Sequence, residues 1–321
     1  MPAASLFRTW LQLVRVPNLL TVPGDPLAGY LLGCFGFVEE NLWLAIGASL
    51  CFYAGGLLLN DLADLAEDRR ERPSRPLPSG AASPWAVGVV LAGLFALALG
   101  LCARIDRITL ATGGALLLAI VAYNCGGKRI PILGPINMGL CRGLSLLLGA
   151  TAVPHGDLTY RLIGRGRLDH LVIAACVLTA YVAAVTHLAR FETRTDLSRV
   201  AKWLPFLTLV VGAAIFLRQL NPISRSGSQL LFLIEAASAL LFVIAATTAF
   251  QTAFHLTYDP AIPVPPQIGK LIRGLLLIQA AFCVAAGSFV AIGSLAAIFS
   301  AGLLVAMWPM SRALSRRFYA S

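Results

Sequence analysis

Charge is what this sequence has least of. Asp, Glu, Lys and Arg make up 12% of its 321 residues, about half the usual share in soluble domains. Acids are scarcer still, 15 against 25 basic side chains. The seven cysteines (34, 51, 102, 125, 141, 176 and 283) stand singly in apolar runs, with no CxxC pair among them. That excludes a disulfide framework or a thiolate metal site and reads as small buried hydrophobes. No internal repeat, low-complexity tract or soluble domain stands out. What the chain has in abundance is apolar surface: 58% hydrophobic residues and a mean hydropathy of +0.80. Too little polar surface remains to cover a globule of 34.0 kDa. A soluble enzyme, a disordered tail and a nucleic-acid module are therefore ruled out, despite a net charge of +10. In so apolar a chain the basic excess reads as loop charge facing a cytoplasm and anionic lipid.

Apolar runs of roughly 20 residues, enough to cross a ~30 Å hydrocarbon core as helix, recur near 17–38, 42–63, 84–103, 107–125, 132–153, 168–190, 200–219, 229–255, 268–287 and 289–310. Only Gly287-Ser288 separates the last two, so the expected architecture is an all-α membrane bundle of nine to ten spans in one domain, 1–321. Met1–Arg15 carries Arg8 and Arg15 beside Phe7, Trp10, Leu11 and Leu13. Residues 1–16 thus read as an interfacial amphipathic helix rather than a cleaved leader. With that end inside and ten spans, 17 of the 25 Lys and Arg side chains fall inside and seven outside, as the positive-inside rule requires. Arg142 falls within the fifth span. The same topology places residues 311–321 inside as a basic tail.

Seven of the fifteen acids gather in two places. Five lie from Asp61 to Glu71, at the inner end of the second span, four of them in Asn60-Asp61-Leu62-Ala63-Asp64-Leu65-Ala66-Glu67-Asp68. On a helix Asp61, Asp64 and Asp68 fall within about 60° of one another, and Glu67 about 120° round from Asp61. Three carboxylates on one stripe near lipid repel each other. Oxygen-only ligands of this kind suit Mg²⁺, which would relieve the repulsion. Neutralisation by Arg69, Arg70, Arg72 and Arg75 is the plainer alternative. A second pair, Glu192 and Asp196 at the inner end of the sixth span, lies about 40° apart if helical. Cations stand on the same side: Lys128 and Arg129 in Tyr123-Asn124-Cys125-Gly126-Gly127-Lys128-Arg129, and Arg72 and Arg75 after the first cluster. Metal plus diphosphate accounts for acids and bases gathering on one face, since Arg grips phosphate bidentately and Lys as a point charge.

Asn60-Asp61-x-x-Asp64-x-x-x-Asp68 followed by Arg75-Pro76-Leu77-Pro78-Ser79-Gly80 resembles the first aspartate-rich signature of the UbiA superfamily of intramembrane prenyltransferases. Glu192 and Asp196 resemble its second acidic motif, and Tyr123 with Lys128 its Tyr-x-x-x-Lys element. The resemblance runs from Arg15-Val16-Pro17-Asn18 to the last spans. With Asn137-Met-Gly-Leu-Cys-Arg142-Gly-Leu it looks most like the EboC branch of bacterial secondary-metabolite clusters. It implies a helical bundle around a central cavity in a bacterial plasma membrane, with the site facing the cytoplasm. A polyprenyl diphosphate would bind there through Mg²⁺, and its prenyl group would pass to an aromatic or other lipophilic acceptor. By the same resemblance Asn60, Asp61, Asp64, Asp68, Glu192 and Asp196 would hold metal, Arg72, Lys128 and Arg129 the diphosphate, and Asn18 would line the pocket. Two positions depart from the pattern. Glu192 stands where Asp is common, and Tyr123 and Lys128 are five apart where four is usual, with Gly126-Gly127 between, an insertion expected to loosen the helix end and re-aim Tyr123.

Ionising an allylic C–O bond needs charge stabilisation at the departing diphosphate and a dry pocket with aromatic faces for the cation. Tyr123, the catalytic candidate, and Phe52, Tyr53 and Tyr181 are the aromatic residues considered for that role. Asp25, in Pro23-Gly24-Asp25-Pro26, interrupts the first span and reads either as a helix cap or as part of an acceptor pocket. Arg142 is its basic counterpart, an ion-pair partner or a substrate contact. A secondary transporter, and a UbiA-fold protein that binds a lipid diphosphate without chemistry, are the alternatives.

Overall fold

Inside a bilayer every backbone N–H and C=O must find its partner within the protein, which leaves helix or closed barrel. Continuous apolar runs without alternation choose helix. The computed structural model bears this out: among the described residues (3–34, 38–154, 167–191, 198–224, 229–259, 261–289 and 294–318) every regular element is helical. In chain order they are α1 (Ala3–Leu13), α2 (Val16–Leu19), α3 (Gly24–Gly33), α4 (Glu40–Ala63), α5 (Leu65–Glu71), α6 (Pro84–Ile105), α7 (Arg107–Asn124), α8 (Leu133–Thr151), α9 (Arg167–Ala189), α10 (Arg199–Ser224), α11 (Gln229–Tyr258), α12 (Val264–Ala286) and α13 (Ser294–Phe318). Eight of the described helices, α4, α6, α7 and α9 to α13, are long and apolar enough to cross a membrane. The chain is a multi-pass membrane protein.

The other two expected spans differ from those eight. The 19-residue α8 buries Asn137, Arg142 and Ser145 along its length, polar groups that dilute its hydropathy. The run near 17–38 is not one helix but two. Pro17, Pro23 and Pro26 break it by withholding N–H donors, so that α2 and α3 are separated by residues 20–23. The final two expected spans are separate helices: α12 stops at Ala286, and a 3-10 turn follows at Gly287–Phe289. α13 then continues past 310 to Phe318. The segment expected as a tail therefore begins as helix, with Ser311 buried and its hydroxyl donating to the Pro17 carbonyl at 3.0 Å.

Close packing holds α3 against α8. A Cβ at Gly29 would strike the Leu146 carbonyl, and one at Gly149 the Pro26 carbonyl, so the two backbones touch where only glycine fits, as small residues permit in membrane bundles. Farther along the chain, Phe216, Phe242 and Phe282 from α10, α11 and α12 interlock edge to face at centroid distances of 4.9–6.0 Å, the geometry aromatic quadrupoles prefer. Tyr181 belongs to this packed region. Its hydroxyl donates to the Leu271 carbonyl at 2.8 Å and the ring is buried, so it serves α9–α12 packing rather than a cation.

Candidate functional site

The inner end of α4 supplies the site. The helix closes at Ala63, Asp64 leaves helical geometry with φ −93° and ψ 1°, and α5 resumes at Leu65. The break is slight, because the Asp68 amide still bonds the Asp64 carbonyl at 2.8 Å. Asn60, Asp64 and Asp68 therefore stay on one side and line a cavity of about 390 Å³, within the usual range for a small-molecule site. Its mouth carries Glu67, Glu71, Arg15, Arg72 and Arg75; its wall is Phe52, Tyr53, Leu57, Leu116, Ile120 and Tyr123; Ser49, Arg142 and Ser145 lie deeper.

Each aspartate of the cluster is matched to a cation. Lys128 Nζ lies 2.5 Å from Asp64 Oδ1 and donates to Asn60 Oδ1 at 3.1 Å. Arg75 Nη1 donates to both oxygens of Asp68, at 2.9 and 2.7 Å, with Asp68 itself buried. Asp61 turns to Arg15 at 3.3 Å. Among the described residues no three such side chains converge on one metal point. These counter-charges offset the repulsion between carboxylates this close together. The donor chemistry nonetheless fits a hard cation: Asn60, Asp64 and Asp68 offer only oxygen, beside a cavity broad enough for a ligand.

Lys128 reaches the acids because the helix before it stops short. α7 ends at Asn124, Gly126 adopts φ 132°, and Gly127–Arg129 form a 3-10 turn. An L side chain rarely takes that φ, so Gly126 is what lets the chain turn back toward α4. The expected loosening at Gly126-Gly127 is thus present, and Tyr123 on the last turn of α7 faces the cavity. Arg190 ties the turn down from α9, donating to the Ile130 carbonyl at 2.8 Å and the Arg129 carbonyl at 3.4 Å.

The structure thus gathers Asn60, Asp64, Asp68, Arg72 and Tyr123 at one cavity, with Lys128 bonded to two of them. Asp61 sits beside it, paired with Arg15. Arg129 is exposed, and its carbonyl serves Arg190. Asn18, half-buried in α2, accepts the Thr21 hydroxyl at its carbonyl at 2.8 Å; it is not part of the cavity wall. Glu192 and Asp196 lie outside the described residues. Sequence reasoning did not pick out Glu67 and Glu71, which lie at i+3 and i+7 from Asp64 and so share its side of the helix at the mouth; measuring the stripe from Asp61 hid them. Nor did it place Arg15, which a positive φ of 47° aims inward; no helical periodicity could signal that. Asn124 was also missed: it is buried and lines the cavity, its Nδ2 donates to the Ile120 carbonyl at 2.9 Å, and its Oδ1 has no hydrogen-bond partner.

The fold and site together define a helical membrane bundle with an apolar-walled pocket whose mouth is crowded with carboxylates and guanidinium groups. The chain belongs to the UbiA prenyltransferase family, whose profile matches residues 26–258. It is 26% identical over 284 residues to the digeranylgeranylglyceryl phosphate synthase of Haloquadratum walsbyi, covering 85% of this chain and 93% of that protein. With the enzyme of the same name from Methanopyrus kandleri it shares 32% identity over 148 residues, 44% of this chain and about half, 52%, of that protein. In three dimensions it resembles the apo UbiA homologue from Aeropyrum pernix K1 with a TM-score of 0.60 at 20% identity, covering 82% of this chain and 96% of that one. A UbiA homologue from Archaeoglobus fulgidus bound to GPP and Mg²⁺ aligns with a TM-score of 0.54 at 15% identity, over 91% and 99% of the two chains. These likenesses set the fold. Family membership, not the count of spans, decides against a transporter: the chain is a UbiA-type prenyltransferase.

Proposed function

We propose that this protein transfers a prenyl group from a polyprenyl diphosphate to an aromatic or other lipophilic acceptor, with Mg²⁺ at the mouth of the cavity. The single observation that carries the reading is the placement of Asn60, Asp64 and Asp68 beside Arg72, Arg75 and Lys128 above an aromatic, apolar wall. Asn60, Asp64 and Asp68 would hold the ion, with Asp61 next to them and Glu192 and Asp196 completing the set. Bound there, Mg²⁺ supplies charge neutralisation for a leaving diphosphate. Lys128 and Arg75, now engaged with carboxylates, are the donors that turn to phosphate oxygens once those carboxylates are taken up; Arg72 and Arg129 add to them. Tyr123, Phe52 and Tyr53 present ring faces to the allylic carbon as its bond to oxygen weakens, and the apolar wall keeps water from it. In the ten-span reading 17 of the 25 Lys and Arg side chains fall on the side of this end of α4, which supports a mouth facing the cytoplasm, as would suit a bacterial plasma membrane. The likeness of the Asn137–Arg142 stretch supports a place in the EboC branch.

Purified protein supplied with labelled geranylgeranyl diphosphate and Mg²⁺ tests this. Release of diphosphate on addition of acceptor is the expected result. Binding without release in the presence of the lipid extract of an expressing host would mean a binder without chemistry. A new prenylated mass in that extract, compared with an empty-vector control, identifies the acceptor.

A further inference from the structure

The floor of the cavity is polar where the bilayer would favour it apolar. Ser49 on α4 and Ser145 on α8 meet hydroxyl to hydroxyl at 2.6 Å, both almost fully buried and both on the cavity wall. Beside them Arg142, 7% exposed, also lines the cavity. Behind it the Asp25 carboxylate is fully buried and lies 2.9 Å from Arg142 Nε. Gln279 Nε2 donates to Asp25 Oδ1 at 2.6 Å and to the Thr21 carbonyl at 2.7 Å, and Arg142 Nη2 donates to that same carbonyl, also at 2.7 Å. Thr21 lies in the break between α2 and α3, so its carbonyl has lost the partner a continuous helix would give. That explains Gln279 and part of Arg142, and Ser145 belongs to the same network, since its hydroxyl also bonds the Asp25 carboxylate. It does not explain Ser49, which reaches the network only through Ser145, nor a guanidinium on the cavity wall.

Groups of this kind are costly inside a membrane unless something bonds them. Ser49, Ser145 and Arg142 already have partners in one another, Asp25 and Thr21. A prenyl tail laid over them would use none of their remaining hydrogen-bonding capacity, whereas a polar group would. Charge narrows the alternatives further. Of the cations lining the cavity among the described residues, Arg15, Arg72 and Arg75 stand at the mouth and only Arg142 at the floor, where Asp25 cancels it. An anionic head lowered there would meet a pair already neutral and would stay uncompensated. Geometry supplies the last constraint. Ser49 lies eleven residues up α4 from Asn60, about 16 Å at the helical rise. The diphosphate and its reacting carbon fill the mouth part of that length, so an acceptor attacking that carbon extends its far end toward the floor.

We infer that the floor formed by Ser49, Ser145 and Arg142, neutralised by Asp25, selects an uncharged, hydroxyl-bearing acceptor whose far polar group lies on these side chains while its attacking atom faces the mouth. The inference rests on the prenyl-transfer reading and names its acceptor class.

The test uses equilibrium binding to full-length protein in detergent or nanodiscs, loaded with Mg²⁺ and a non-hydrolysable thio-analogue of geranylgeranyl diphosphate. The two probes, 4-hydroxybenzyl alcohol and 4-hydroxybenzoate, match in size and differ in charge. The alcohol is expected to bind at least roughly tenfold tighter, because a site built for hydroxyl bonding rejects what leaves its groups unpaired. Ser145→Ala and Ser49→Ala should each weaken the alcohol about fivefold or more without moving the affinity for the thio-analogue. Asp25→Asn, by leaving Arg142 uncompensated, should bring the carboxylate level with the alcohol or ahead of it. Should Asp25→Asn fail to insert, the serine variants, which remove one buried oxygen each, decide the matter. Equal or tighter binding of the carboxylate by the native protein, binding of neither probe, or serine variants with unchanged affinities would each overturn the inference while leaving prenyl transfer intact. Failure of the thio-analogue itself to bind would overturn both.

Discussion

Asp64 is the residue on which the site turns. It ends α4, faces the cavity and holds Lys128 at 2.5 Å. Asp64→Ala removes a metal-binding oxygen and the partner of a half-buried ammonium at once, so Mg²⁺-dependent diphosphate release should fall at least about a hundredfold while the protein still inserts and purifies. Full activity in that variant would contradict the assignment. Lys128→Ala should lower kcat/KM roughly ten- to a hundredfold, with the loss falling on diphosphate contacts. Gly126 is the conformational counterpart: at φ 132° an alanine is strained by about 1–3 kcal/mol, and Gly126→Ala should misplace Lys128 more than it lowers Tm. At this scale much was legible from spacing alone. Asp64 and Asp68 are placed by the stripe expected of Asp61, Asp64 and Asp68, Asn60 by the family resemblance, and Lys128 by its sign. Arg15 and Asn124 were not, because a left-handed residue and an unmatched amide oxygen leave no periodic trace. Glu67 was missed because the stripe was measured from Asp61, although it lies at i+3 from Asp64.

Elements show why the stripe works although its helix does not run through. α4 and α5 meet at Asp64 with one amide bond bridging the break, so the i, i+4, i+8 alignment of Asn60, Asp64 and Asp68 survives it. The turn after α7 depends on a neighbour: Arg190, reaching from α9 to the Ile130 carbonyl, holds the Lys128 turn against the bundle. Arg190→Ala should therefore raise KM for the prenyl diphosphate several-fold with a smaller change in kcat, a split that steady-state kinetics resolves; a change confined to Tm would assign Arg190 to stability alone. α3 and α8 meet glycine to backbone, and Gly149→Ala should cost about 1–3 kcal/mol by overpacking, visible as a lower unfolding temperature in detergent. Eight spans could be read from hydropathy with little error. The ninth and tenth were harder for one shared reason. α8 carries buried polar groups that serve the cavity and α3 starts at a proline-broken joint, so the polar residues that depart from a membrane pattern are those that build the pocket.

At the scale of the whole molecule, scarcity of charge follows from the lipid and concentration of charge follows from the ligand. The bundle places five of its fifteen acids and several of its bases at one end of α4 and leaves a neutral polar patch at the other end of the same cavity, with an aromatic wall between. Sequence alone could establish the membrane class, the acidic cluster and the family likeness. It could not establish that these lie on one pocket, because that depends on how α4, α7 and α8 are packed. The Asp-rich end of α4 is proposed as a Mg²⁺-dependent diphosphate site. Binding of labelled geranylgeranyl diphosphate to the purified protein, measured across a Mg²⁺ titration and after chelation with EDTA, tests it most directly. The account predicts saturable binding that rises with Mg²⁺, is lost in EDTA and is lost in Asp64→Ala and Asp68→Ala at all Mg²⁺ concentrations. Binding of equal strength with and without Mg²⁺, retained in both variants, would contradict it.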